Sequence, residues 1–123
     1  MSFAVARYQS SRVETASPVQ IVVALYDGAL RFLRVAEDAM TRKDHAAKGH
    51  ALQRAHAVVT ELVATLDHGA APELCAQLEQ LYLFVLDRIN TANAQADPGP
   101  AAEARRVLEQ LRGAWAELAG PRP

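Results

Sequence analysis

Apolar side chains recur every three or four positions in four separate stretches of this chain, and polar breaks divide them. The first stretch runs from residue 17 to about residue 42, with Val22, Leu25, Tyr26, Ala29, Leu33, Ala36 and Met40 on one face. Ser17 suits an N-cap, Pro18 the first helical position, and Gln20 completes a capping-box spacing. Thr41, Arg42, Lys43 and Asp44 form a short polar turn. The second stretch, from about residue 44 to residue 67, carries Ala51, Leu52, Ala55, Val58, Val59, Leu62, Val63 and Leu66, with Asp44 as its candidate cap. Gly49 in its first turns costs about 1 kcal/mol against alanine and predicts a fraying start. After the break at His68, Gly69 and Ala70, the third stretch runs from residue 72 to about residue 94. Its stripe is Leu74, Leu78, Leu81, Tyr82, Val85, Ile89 and Ala92. Asp97-Pro98-Gly99-Pro100 predicts a firm stop. The fourth stretch, from about residue 100 to residue 118, has the cleanest stripe: Ala104, Val107, Leu108, Leu111, Ala114, Trp115 and Leu118.

Four helices joined by short connections predict an all-α fold, an antiparallel four-helix bundle over residues 17–120. Residues 1–16 have no helical rhythm; Phe3, Val5, Tyr8 and Val13 are scattered among polar residues. They read as a flexible segment, free or draped over the bundle. The first helix has more apolar surface than a bundle needs. From Ile21 and Phe32 round to Leu30 and Val23 its apolar arc covers about 200°, where a little over 100° suffices. The third helix also carries Leu83 and Phe84 away from its main stripe. Either residues 1–16 cover this surplus, or it lines a groove for a partner segment. The two are compatible if the N-terminal segment covers a groove that a partner later takes.

Composition narrows the possibilities. The chain has 123 residues, 50% hydrophobic and 22% charged, which fits one globular domain. A net charge of -1 excludes a strongly basic nucleic-acid or membrane-surface binder. No apolar run reaches membrane-spanning length, and no signal-peptide pattern stands at the start, so a cytosolic protein is expected. Cys75 is alone, which rules out an intrachain disulfide; it reads as a small apolar filler near a helix start. Chemistry is not in evidence. No Glu-x-x-His pair supports a di-iron centre, no glycine-rich loop cradles phosphate, and His45, His50, His56 and His68 are not spaced to stack on one face. The expectation is a non-enzyme without cofactor or metal; the alternatives are a helical metal carrier and a purely structural interaction domain. Two polar features remain. Tyr26-Asp27-Gly28 places a glycine inside a helix, which predicts a close approach to the backbone by a helix or a ligand. Asn90 and Asn93 end the third helix, where their amides either bond an extended backbone or cap the helix.

Tyr8, Val13-Glu14-Thr15-Ala16-Ser17-Pro18-Val19-Gln20-Ile21-Val22 and Leu25-Tyr26-Asp27-Gly28-Ala29-Leu30 together resemble the N-terminal signature of the flagellar secretion chaperones for flagellin, the FliS family. The run from Glu61 to Asp67, Leu81-Tyr82, Ala92-Asn93 and Trp115 resemble the later landmarks of that family, in order and at its spacing. Gly69-Ala70-Ala71 departs from the Gly-Gly pair usual before the third helix. The resemblance implies a cytosolic bundle, without ATP or cofactor, that binds the disordered C-terminal region of flagellin. It implies that the chaperone prevents premature polymerisation and helps deliver the subunit to the flagellar type III export gate. On this reading the partner-binding candidates are Tyr8, Ile21, Leu25, Tyr26, Leu30, Leu83, Phe84 and Asn93. Ile21 and Leu25 are expected on the partner side, with Tyr26 at the boundary offering its hydroxyl as a polar handle.

Overall fold

The computed structural model of the chain describes residues 17–120, which form four α-helices: α1 (Pro18–Thr41), α2 (His45–Ala64), α3 (Pro72–Gln95) and α4 (Pro98–Ala119). Helix α1 starts on the capping box. The Gln20 N–H donates to the Ser17 hydroxyl at 3.2 Å, and the Ser17 N–H donates to Gln20 Oε1 at 3.0 Å. At the start of α2 the Asp44 carboxylate accepts from the Ala47 N–H at 3.1 Å. One turn on, Lys48 Nζ donates to the Asn93 carbonyl of α3 at 3.0 Å. The turns around Gly49, expected to fray, are therefore tied to a neighbouring helix.

Two boundaries differ from expectation. Helix α2 ends at Ala64, short of the apolar pattern, where Thr65 takes the C-cap and its hydroxyl donates to the Leu62 carbonyl at 2.7 Å. Leu66 and Asp67 belong to the connection. Pro98-Gly99-Pro100 is the first turn of α4 rather than a break. First-turn N–H groups have no intrahelical partner, so prolines lose nothing there, and Asp97 Oδ1 accepts from the Gly99 N–H at 2.9 Å. The connection from α3 shrinks to Ala96 and Asp97.

Helix α1 packs on α2 and α4, and α3 closes the ring against the same two helices. Cross-helix ion pairs fix the antiparallel direction. Asp27 pairs with Arg112 at 2.8 Å and Glu37 with Arg105 at 2.7 Å, so residue numbers fall along α4 as they rise along α1. Glu109 extends the row by pairing with both Arg34 and Arg105 at 3.3 Å. These pairs are partly solvated, so each contributes about 0.2–1 kcal/mol, and their main effect is on register. Small residues set the helix spacing: Ala29, Ala36, Ala51, Ala55, Ala101 and Ala104 are all in the core, with Leu33, Leu52, Val59, Leu62, Val85, Ile89 and Leu108 between them.

The α1–α3 diagonal is spanned by two long side chains. Tyr26 and Tyr82 are 0% and 1% exposed, and their hydroxyls share a hydrogen bond of 2.6 Å. The rings are tilted by 51° with centroids 6.3 Å apart. Tyr26, expected at a boundary, is thus a central core residue, and Leu30 beside it is buried as well. The fourth helix corrects its expectation in the opposite sense. Its core contribution ends at Leu108; Leu111 and Trp115 are half-buried and Leu118 is exposed. Leu74 and Leu81 of α3 are also exposed.

Two measurable consequences follow from the backbone and the tyrosines. Ala96 holds φ 51°, in the left-handed region that costs an alanine roughly 1 kcal/mol and a glycine almost nothing. Ala96→Gly should raise stability by about 0.5–1 kcal/mol, seen as a melting temperature higher by roughly 2–5 °C; a lower melting temperature would contradict the strain. Burial also holds both phenols above their ordinary value of 10.0 in the folded chain. Above that pH the unfolded chain releases protons that the folded chain retains, so stability falls as pH rises. Melting temperature should drop between pH 10 and about 11.5 in the wild type, and drop less in a Tyr26→Phe/Tyr82→Phe variant. Equal slopes would show that the pair does not control alkaline stability.

Candidate functional site

The beginning of α1, the end of α2, the beginning of α3 and the end of α4 meet at one end of the bundle. The longest connection, residues 65–71, loops across this end and lets the helices part. A cavity of about 440 Å³ opens between them. Its walls are Pro18, Val19, Ile21, Val22 and Leu25 of α1, Leu66, Ala70 and Ala71 of the connection, Leu74 and Leu78 of α3, and Trp115 of α4. Tyr82 and Cys75 line its deeper part, and Glu61, Thr65 and Asp67 bring polar groups to it. Cys75 is buried, and its thiol donates to the Asp67 carbonyl at 3.3 Å, which tethers the connection to the first turn of α3.

The expected site residues separate into groups. Ile21 and Leu25 stand together on the cavity wall. Tyr26 and Leu30 lie in the core behind it and present no surface to a partner. Leu83 and Phe84 are 54% and 43% exposed but do not line this cavity; the Arg88 guanidinium sits 5.9 Å from the Phe84 ring centroid. Asn93 belongs to a different depression of about 490 Å³ between α2 and α3, with Gly49, Leu52, Gln53, His56, Ile89 and Asn90. Its side chain is not a helix cap, since Ala96 takes that place. Tyr8 lies outside the described residues. Gly28 shows no close approach: a Cβ built there meets nothing within 4 Å, so no neighbouring helix explains the glycine.

Trp115, Leu74 and Leu66 escape notice as site residues because their spacing matches a core stripe, and Cys75 because it reads as a small apolar filler. The available signal was positional. Each falls at a helix end or in a connection, where the four ends cluster and packing is incomplete. Gln53 and His56 were missed for another reason, since isolated polar residues on a helix read as solvated surface.

Burial, then the bond to and charge of Tyr82, hold the Tyr26 phenol well above its ordinary range, and the adjacent Trp115 indole N–H pulls the other way. Burial also raises Tyr82, against the hydrogen bond from Tyr26, with the Cys75 thiol adding to the rise. Both phenols are therefore neutral donors and acceptors near neutral pH. Among the described residues no three His, Cys, Asp or Glu side chains are grouped to hold a metal ion. No described helix is long and apolar enough to cross a membrane. The α2–α3 depression differs in character: the side-chain amides of Gln53, Asn90 and Asn93, each a donor and an acceptor, are among its lining groups.

Comparison with known proteins gives a consistent result. The family described as "Flagellar protein FliS" matches residues 1–122. The chain is 33% identical over 108 residues to a flagellar secretion chaperone FliS of Bacillus subtilis, covering 88% of this chain and 80% of the relative. It is 32% identical over 109 residues to that of Salmonella typhimurium, covering 88% and 81%. Against the chaperone of Escherichia coli the identity is 31% over 108 residues, covering 87% and 79%. With a four-helix bundle, a match along nearly all of its length and these relatives, the chain belongs to the FliS family of flagellar secretion chaperones.

Proposed function

We propose that this protein binds the disordered C-terminal region of flagellin in the bacterial cytosol, keeps it from polymerising, and helps deliver it to the flagellar type III export gate. The observation that carries this reading is the apolar cavity at the end of the bundle. Its volume lies within the roughly 300–1,000 Å³ of ligand clefts, and its walls are mostly aliphatic with one indole. Apolar area buried there stabilises a complex by about 25 cal/mol per Å², which offsets the cost of ordering a disordered segment. Pro18, in the first turn of α1, is on the cavity wall, and residues 1–16, Tyr8 among them, are proposed to cover the cavity until a partner takes it. The amide-lined depression around Asn93 supplies a second surface, suited to an extended stretch of the same partner. The activity is one of binding and release, and it uses no cofactor.

Isothermal titration with a peptide spanning the flagellin C-terminal region tests this directly. Ile21→Asp and Leu25→Asp should each keep the helical circular-dichroism spectrum and weaken the peptide roughly tenfold or more, because the new carboxylate would have to be desolvated without a partner. Variants that fold and bind as the wild type does would move the site elsewhere, with the exposed Leu83 and Phe84 the next surface to substitute.

A further inference from the structure

The deep wall of the cavity holds a hydrogen-bond account that does not close. The Tyr26 and Tyr82 hydroxyls share one hydrogen bond, yet each carries a proton. Whichever donates to the other, one proton is left over, and protein covers both side chains almost completely, at 0% and 1% exposure. Among the described residues neither hydroxyl donates a second hydrogen bond. The flanking groups are poor partners for it. The Trp115 indole beside Tyr26 is a donor only, and the Cys75 sulfur beside Tyr82, whose own proton goes to the Asp67 carbonyl, is a weak acceptor. Tyr82, Trp115 and Cys75 all line the cavity, whereas Tyr26 does not. The consistent arrangement has Tyr26 donating to Tyr82 and Tyr82 turning its own proton toward the cavity.

We propose that the Tyr82 hydroxyl is a specificity-determining hydrogen-bond donor inside the cavity, and that the segment seated there brings an amide carbonyl to it. This rests on the reading that the cavity receives a polypeptide. A carboxylate is a poor fit, since it would be desolvated among Ile21, Leu25 and Leu78 with one neutral donor to compensate. A wholly aliphatic occupant would leave the proton unmatched. A carbonyl of the partner's amide groups meets both conditions, since it is neutral and arrives flanked by apolar side chains. The α2–α3 depression offers several polar groups at an open surface. Here a single buried donor makes one carbonyl count.

The test uses the full chain as wild type, Tyr82→Phe and Tyr26→Phe, with folding checked by circular dichroism. Two probes of nearly the same shape, acetophenone and α-methylstyrene, differ only in a carbonyl against a carbon–carbon double bond. Their dissociation constants are read from methyl chemical shifts of Ile21, Leu25 and Leu78. The ratio of the two affinities should move about five- to tenfold toward α-methylstyrene in Tyr82→Phe and stay near the wild-type ratio in Tyr26→Phe. The flagellin C-terminal peptide should weaken by a similar factor in Tyr82→Phe alone. An unchanged ratio, an equal change in both variants, or no binding of either probe in the wild type would overturn the donor assignment even if the peptide binds. A shifted ratio with peptide affinity unaffected by Tyr82→Phe would overturn the carbonyl contact. A shifted ratio with no peptide binding to the wild type would leave the donor standing and remove flagellin as the partner.

Discussion

Helices on opposite corners of a four-helix bundle do not touch through their backbones, so something must fill and polarise the middle. Here that is one hydrogen-bonded pair of phenols, Tyr26 of α1 and Tyr82 of α3. A buried hydroxyl without a partner costs about 1–3 kcal/mol, so each ring makes the other tolerable at the centre. The pair also sets the depth to which the bundle is filled. Beyond it, toward the end where α1 and α3 begin, the interior is no longer packed with side chains from all four helices, and the cavity starts. The same contact therefore closes the core on one side and forms the limit of the site on the other.

The seams around this centre are unequal. Between α1 and α4 the row of Asp27, Arg34, Glu37, Arg105, Glu109 and Arg112 locks one register. Between α2 and α3, a lysine-to-carbonyl bond at Lys48 is the cross-helix hydrogen bond of the described residues, and the seam opens into the amide-lined depression. Charge thus ties the α1–α4 seam, and neutral amides line the α2–α3 seam.

The number, order and direction of the helices are legible from the sequence, because cap and apolar spacing agree at Ser17 and Asp44, and Pro72 marks the third start where the structure has it. Pro98 misleads because a proline reads as a stop, although in a first turn it is harmless. The site was legible only in part. A 200° apolar arc on α1 showed that surplus surface existed, but periodicity cannot say which edge of an arc meets another helix. Tyr26 and Leu30 proved to face inward and Ile21 and Leu25 the gap. Trp115 continued a regular stripe, and only its place near the end of α4, where no neighbour covers it fully, makes it a wall residue.

That placement of Trp115 has an optical consequence. It is the chain's one tryptophan, half-buried on the cavity wall beside the Tyr26 hydroxyl, about one turn from the end of its helix. The ultraviolet emission of the native protein is therefore a gauge of solvent at the mouth of the site and not of the integrity of the alanine-rich interior. A thermal trace followed by that emission reads the loosening of the open end, while ellipticity reads the four helices together. Any gap between the two traces measures how far the site can come undone while the bundle behind it persists.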